Sequence, residues 1–113
     1  MGLDIYTKRD YLRFNWSGAR AFSRWCVDQG FQPPFGDWNG GNGEDVSYKT
    51  NHETWEKFLE QFRLKYPDLA IGPAEAVQWA FYANEEDWEL AMALAWSFII
   101  AEALNNKEGI YFG

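Results

Sequence analysis

The side chains most capable of chemistry in this sequence are a single histidine, His52, and a single cysteine, Cys26. A histidine acts as a general base or a metal ligand only when other groups orient it or complete the site. Cys26 follows Trp25 on the apolar face of a predicted helix, where a cysteine is typically a small core residue rather than a nucleophile. We therefore expect no catalytic residue and classify the chain as a non-enzyme.

A second group of side chains that could bind a metal ion carries oxygen atoms and lies between Asp37 and Asp45. An EF-hand that opened at Asp37 would require glycine at position 6 and glutamate at position 12, where this chain has Asn42 and Tyr48. The glycines of the same stretch lack the following lysine and serine or threonine of a phosphate-binding loop. We expect neither a metal ion nor another cofactor.

The stretch Phe31–Asp45 is predicted to be a loop because prolines and glycines punctuate it. It also holds three large aromatic side chains, and two interpretations of them remain open. In one, the loop is an exposed platform for a sugar, a base or a peptide, with Phe35, Asp37 and Trp38 as binding residues. In the other, the loop is a lid that covers the core.

Charge is distributed unevenly along the 113 residues, which carry 17 acidic and 10 basic side chains and a net charge of -7. Residues 1–30 hold five of the basic and three of the acidic side chains, so the anionic excess follows residue 30. Direct nucleic-acid binding is disfavoured, because phosphate recognition needs clustered lysine and arginine. A strongly anionic surface selects a cationic partner instead.

Seven of the acidic side chains group on two predicted helices. One set forms a stripe and the other crowds a first helical turn, where carboxylates favour the positive end of the helix dipole. Both sets are either a solvated face or a docking surface for lysine and arginine. The residues concerned are Glu53, Glu56 and Glu60 on the first helix and Glu85, Glu86, Asp87 and Glu89 on the second.

Residue periodicity and capping signals predict an α+β fold with a small antiparallel or mixed sheet of about three short strands packed against about four helices. The final helix has so wide an apolar arc that it should be central and buried, or should also meet a partner. In chain order, the predicted elements are a strand at Leu3–Thr7, a helix at Gly18–Gln29, a strand at Val46–Lys49, a helix from Thr50 to about Tyr66, a helix at Ala74–Ala83, a helix at Glu85–Asn105 and a strand at Gly109–Phe112.

Two of these assignments depend on particular residues. Thr50 and Glu53 have the spacing of a capping box, which makes Thr50 the predicted N-cap of its helix. Residues 74–83 could also be a strand, because apolar side chains alternate in their second half, and the alanines in this stretch favour the helix.

The length and the 47% hydrophobic composition predict a single compact domain over residues 1–113. The amino terminus lacks the apolar segment of a signal peptide. The longest apolar run, Ala91–Ala101, is too short to cross a bilayer. We therefore expect a cytoplasmic protein with no membrane partner.

The opening residues Met1–Tyr6, MGLDIY, resemble the start of small uncharacterised proteins of phages and bacteria. The resemblance implies a short phage-type protein acting in the host cytoplasm. Many such proteins are inhibitors, including anti-CRISPR proteins that occupy nucleic-acid sites with acidic surfaces. The resemblance assigns no individual site residue.

These observations together favour a non-catalytic, acidic protein-binding module. It would act as a phage-type inhibitor that docks on a basic surface of a host nucleic-acid-handling complex, such as a CRISPR-like defence complex. The alternative is a small-ligand or carbohydrate-binding module built on the aromatic loop Phe31–Asp45. Under the first hypothesis, carboxylates steer the encounter and aromatic side chains supply the anchoring energy.

Overall fold

Three helices and a four-stranded antiparallel sheet make up the described part of the chain. The computed structural model describes residues 2–67 and 88–113, with the side chains of residues 2, 3 and 14–17 left out. The elements are β1 (Gly2–Tyr6), β2 (Tyr11–Asn15), α1 (Trp16–Gln29), β3 (Glu44–Val46), α2 (Tyr48–Lys65), α3 (Trp88–Asn106) and β4 (Ile110–Phe112). The predicted α+β class is confirmed, and the helix predicted at Ala74–Ala83 lies outside the described residues.

The strands are arranged in the order β2-β1-β4-β3, and each neighbouring pair is antiparallel. β1 and β2 form a hairpin whose turn is closed by the N–H of Thr7, which donates to the carbonyl of Asp10 at 3.1 Å. The last strand pairs with the first, with Tyr111 opposite Tyr6. β1 and β4 are therefore the two central strands of the sheet, and β2 and β3 are its edges.

β2 is the strand that the sequence pattern did not reveal. Its residues alternate as a strand requires, but Asn15 leads directly into α1 at Trp16 with no loop between the two elements. A strand that continues straight into a helix hides the change from a period of 2 to a period of 3.6. The count of three strands is therefore corrected to four.

The start of α2 also differs from its prediction. The helix begins at Tyr48, and Ser47 is its N-cap, because the Ser47 side chain accepts a hydrogen bond from the N–H of Thr50 at 3.3 Å. Thr50 is thus the third helical residue, and the predicted capping box of Thr50 and Glu53 is wrong. The preceding strand ends at Val46 for the same reason, since Ser47 already belongs to the helix cap.

The hydrophobic core lies between one face of the sheet and the three helices. Ile5, Leu12 and Phe112 contribute from the sheet, and each is 0% exposed. α1 and α2 both pack against α3, whose side chains are buried on nearly every side from Met92 to Ala103. This agrees with the central position that the wide apolar arc of this helix predicts. Within residues 2–67 and 88–113, no helix is long and apolar enough to cross a membrane.

Candidate functional site

The aromatic loop between α1 and β3 packs onto the core. The ring of Phe35 meets Trp96 edge to face with 5.4 Å between centroids. Trp38 stacks on Phe112 at 4.8 Å with an interplanar angle of 14°. Phe31 is 5% exposed. The loop is therefore arranged as the lid interpretation predicts, with Trp38 remaining partly exposed.

A buried asparagine on α2 holds this loop in place. Asn51 is 2% exposed, and its Oδ1 accepts a hydrogen bond from the N–H of Asp37 at 2.8 Å. Its Nδ2 donates to the carbonyl of Ser47 at 2.8 Å. Asp37 thus contributes its backbone to the loop, while its side chain is exposed. Sequence reasoning missed Asn51, because a polar residue in a first helical turn gives no signal of long-range contact.

Phe35 and Trp38 also form the wall of a surface cavity between the loop and α1. The cavity has a volume of about 360 Å³. The indole N–H of Trp38 donates to the carbonyl of Gly41 at 2.7 Å, which fixes the ring against the turn. The cavity is lined by Ala19, Arg20, Ser23, Phe35, Trp38 and Gly40. Two of the three predicted loop residues therefore line a cavity of ligand size, and Asp37 does not.

The acidic side chains predicted on α2 are all exposed. Glu56 lies 3.6 Å from the Nδ1 of His52, whereas Glu53 and Glu60 make no ion pair with any residue that the structure describes. The helix also carries Lys49, Lys57, Arg63 and Lys65, so it has four basic side chains against three acidic ones. The stripe is available for contact, but α2 as a whole is not anionic.

A groove runs between α2 and α3 beside Glu56 and Glu60. It consists of two adjoining cavities of about 410 Å³ and 600 Å³. The two share Leu59, Arg63 and Leu104, so they form one continuous feature. The smaller is completed by Glu56, Glu60 and Leu64, and the larger by Arg9, Ala101, Glu102, Asn105 and Asn106. The groove has an acidic and apolar end and a polar end that carries one charge of each sign, Arg9 and Glu102.

The acidic set at the start of the final predicted helix is only partly described. Glu89 lies in the first turn of α3 and is half-buried. Glu85, Glu86 and Asp87 lie outside the described residues. Residues 68–87 hold five acidic and no basic side chains, whereas the described residues hold twelve acidic and ten basic ones. Residues 68–87 therefore account for five of the seven net negative charges of the chain.

The structure reveals a row of tyrosines that the sequence analysis did not identify. Tyr11, Tyr6 and Tyr111 stand opposite one another on β2, β1 and β4, and Asp45 of β3 follows Tyr111. Ring centroids are 5.1 Å apart for Tyr6 and Tyr11 and 6.2 Å apart for Tyr6 and Tyr111. We call Tyr11, Tyr6 and Tyr111, together with the neighbouring Asp45, the tyrosine row. Alternation within β1 was visible in the sequence, but the row exists only through strand register.

A carboxylate beside this row affects one of its phenols. The hydroxyl of Tyr11 donates to Asp4 Oδ1 at 2.9 Å, and Arg13 Nε lies 3.8 Å from the same oxygen. Burial, together with the hydrogen bond to Asp4, raises the pKa of Tyr11 to about 12. Tyr11 is therefore a neutral hydrogen-bond donor at physiological pH, and its ring position is fixed.

Cys26 and His52, the two reactive residue types, have different surroundings. Cys26 is 0% exposed, and burial raises the pKa of its thiol to about 12, so little thiolate forms at neutral pH. His52 stacks on Tyr48 with 5.1 Å between ring centroids. Among the residues described, no three His, Cys, Asp or Glu side chains converge on a point that could hold a metal ion.

Comparison with known proteins gives no match to a family model, to a curated protein or to a solved structure. The resemblance of Met1–Tyr6 to small phage and bacterial proteins therefore remains a prediction.

Proposed function

We propose that this protein is a non-catalytic binding module that docks on a basic surface of another protein through the groove between α2 and α3. The observation that carries the proposal is the placement of Glu56 and Glu60, both exposed, at the apolar end of that groove. Leu64, at 76% exposure, stands at the same end. Carboxylates beside an open apolar surface complement a segment that carries both basic and apolar side chains.

The two kinds of side chain contribute differently to such an interface. Leu64, which is exposed, and Leu104, which is half-buried, supply apolar area whose removal from water provides most of the affinity. Glu56 and Glu60 are exposed rim charges, which accelerate the encounter and set the orientation more than they add affinity. The partner therefore needs leucine-like anchors flanked by lysine or arginine.

The opposite end of the groove defines the orientation of the partner segment. Arg9 and Glu102 line it together with the amide side chains of Asn105 and Asn106, whereas Arg63 is shared with the acidic end. A docked segment would place its basic residues next to Glu56 and Glu60 and its uncharged polar end next to Asn105 and Asn106. The groove thus favours one direction of binding over the reverse.

We extend the proposal to a partner that itself binds nucleic acid. Proteins of this class present the clustered lysine and arginine that an acidic module would contact. Occupying that surface would block the nucleic acid and make the protein an inhibitor, as the resemblance of its first residues implies. The anionic excess of residues 68–87 supports a cationic partner over nucleic acid itself.

A matched pair of variants tests the groove. The probe is a synthetic amphipathic peptide with lysine and leucine on one helical face, and its affinity is measured by titration calorimetry. Glu60→Gln should weaken binding by about threefold, the usual size of one exposed ion pair. Glu53→Gln removes the same charge from the same helix but outside the groove, so it should change the affinity by less than about twofold. Equal effects of the two substitutions would reject the groove as the docking surface.

The second candidate function is small-ligand binding in the cavity of the aromatic loop. The observation that favours it is the cavity of about 360 Å³ walled by Phe35 and Trp38, with Arg20 and Ser23 as polar groups. A thermal-shift screen against monosaccharides separates the two candidates. Stabilisation by a sugar that disappears in Arg20→Ala supports the cavity, and stabilisation by the lysine and leucine peptide alone supports the groove.

A further inference from the structure

We propose that the tyrosine row is a second binding surface, which recognises arginine side chains of a partner protein. The row lies on the sheet face opposite the helices, because Ile5, Leu12 and Phe112 point into the core while Tyr6 and Tyr111 are 41% and 39% exposed. It is therefore separate from the groove between α2 and α3. It goes beyond the proposed function, since it is an independent site with its own chemical selectivity.

The geometry of the row suits flat groups. Tyr11, Tyr6 and Tyr111 form one aromatic strip across three strands, and neighbouring rings are tilted by only 34° and 36°. Because adjacent strands lie about 4.8 Å apart, the row from Tyr11 to Asp45 spans roughly 14 Å. A planar guanidinium stacks on an aromatic ring, and a strip of this length accepts two or more such groups from an extended segment.

The charges on this sheet face select a cation. Asp45 ends the row, is exposed, and makes no ion pair or side-chain hydrogen bond with the other residues described. Asp4 stands on the same face, two residues before Tyr6 on β1, and is paired with Arg13 of β2. A guanidinium stacked on Tyr111 is one strand away from the Asp45 carboxylate and can donate two parallel hydrogen bonds to it. Ring stacking and a carboxylate together favour arginine over lysine.

The same charges disfavour the other possible occupants. Aromatic strips on sheets also stack nucleobases, but those surfaces require a cationic groove for the phosphates. Here Asp4 and Asp45 outnumber Arg13 on the exposed face. A second copy of the chain would present the same negatively charged face, so two copies that met through it would repel each other. The arginine of a different, basic protein is the occupant that the charges complement.

The test compares two short unstructured peptides of alternating residues, one of arginine and glycine and the other of lysine and glycine. Binding is followed through the ring resonances of selectively labelled tyrosine in NMR titrations. The arginine peptide should bind at least about threefold more tightly than its lysine counterpart and should shift the resonances of Tyr6 and Tyr111. Replacing both residues with leucine should remove the stacking part of the arginine preference and so reduce the difference between the peptides.

Conservative variants keep the test valid if the leucine variant fails to fold. Tyr6→Phe with Tyr111→Phe retains the rings and should keep the arginine preference. Asp45→Asn should weaken both peptides, and the double variant Glu56→Gln with Glu60→Gln should leave the preference unchanged because it lies on α2. Equal affinity for the two peptides, tighter binding of single-stranded RNA than of the arginine peptide, or self-association through this face would each overturn the proposal.

Discussion

At the scale of single residues, the clearest physical effect is the pairing of Tyr11 with Asp4. Their hydrogen bond joins β2 to β1 on the exposed face of the sheet. Burial and this bond raise the pKa of the Tyr11 phenol to about 12, above its ordinary value of 10.0. The folded protein favours the neutral phenol. The resulting contribution of Tyr11 to the free energy of unfolding is therefore complete below pH 10.0 and is lost as the pH rises through about 12.

The substitution Asp4→Asn tests this pairing. It removes the charged acceptor, so the pKa of Tyr11 should fall from about 12 toward 10.0 without reaching it, since burial is the larger cause and remains. The measurement is an NMR titration of the Tyr11 ring carbon that bears the hydroxyl.

Asp10→Asn is the matched control for Asp4→Asn. Its side chain accepts a hydrogen bond from the backbone N–H of Tyr11, not from the phenol, so the pKa should stay near 12. An unchanged pKa in Asp4→Asn would show that the phenol does not use this carboxylate.

At the scale of elements, the lid loop depends on one contact with α2. Gly36 has a φ of 65°, which L side chains rarely adopt, and a Cβ there would lie 2.4 Å from Asn51 Oδ1. Gly30 also has a positive φ, 79°, but faces open space. Both glycines therefore need a left-handed backbone conformation, but only Gly36 lies against Asn51. Comparing substitutions at the two positions separates the cost of backbone strain from the cost of displacing Asn51.

Alanine substitutions at these glycines give different expected stabilities. Gly30→Ala should lower the free energy of unfolding by about 1 kcal/mol, the cost of a side chain in the left-handed region. Gly36→Ala should cost at least about 2 kcal/mol, since it also displaces Asn51 from its hydrogen bond to Asp37. Urea unfolding measures both. Equal costs would mean that Asn51 moves aside freely and does not hold the loop.

At the scale of the whole molecule, the excess negative charge belongs mostly to one segment of the sequence, residues 68–87. The described residues have a net charge of only -2, from ten basic and twelve acidic side chains, and residues 68–87 supply the other five negative charges. A concentrated charge steers a cationic partner more strongly than the same charge dispersed over the surface, and salt screens this steering.

Neutralising Glu85, Glu86 and Asp87 to the corresponding amides should slow association with the lysine and leucine peptide. The loss should be greatest at low ionic strength, so the dependence of the association rate on salt becomes flatter. Stopped-flow measurements at several salt concentrations give this dependence.

The control is a triple variant with the same change in net charge at scattered exposed sites, Asp28→Asn, Asp37→Asn and Glu53→Gln. It should slow association less. Identical salt dependence in the two variants would mean that only the total charge matters and would reject a special role for the cluster.

The sequence alone predicted the α+β class and the approximate extents of α1, α2 and α3. These features depend on periodicity and on Gly, Pro and capping residues, which act over a few neighbouring positions. The N-cap of α2 was predicted at Thr50 and that prediction was wrong, because Ser47, three residues earlier, caps the helix.

Only the tertiary structure decided which side chains stand together. The tyrosine row joins Tyr6, Tyr11, Asp45 and Tyr111 through strand register, and the groove joins Leu59 and Arg63 to Leu104 through helix packing. Register and packing are set by burying apolar faces that are distant in sequence, so no local pattern encodes them. The lid position of Phe35 and Trp38 was likewise settled by the core beneath them, not by the loop's own residues.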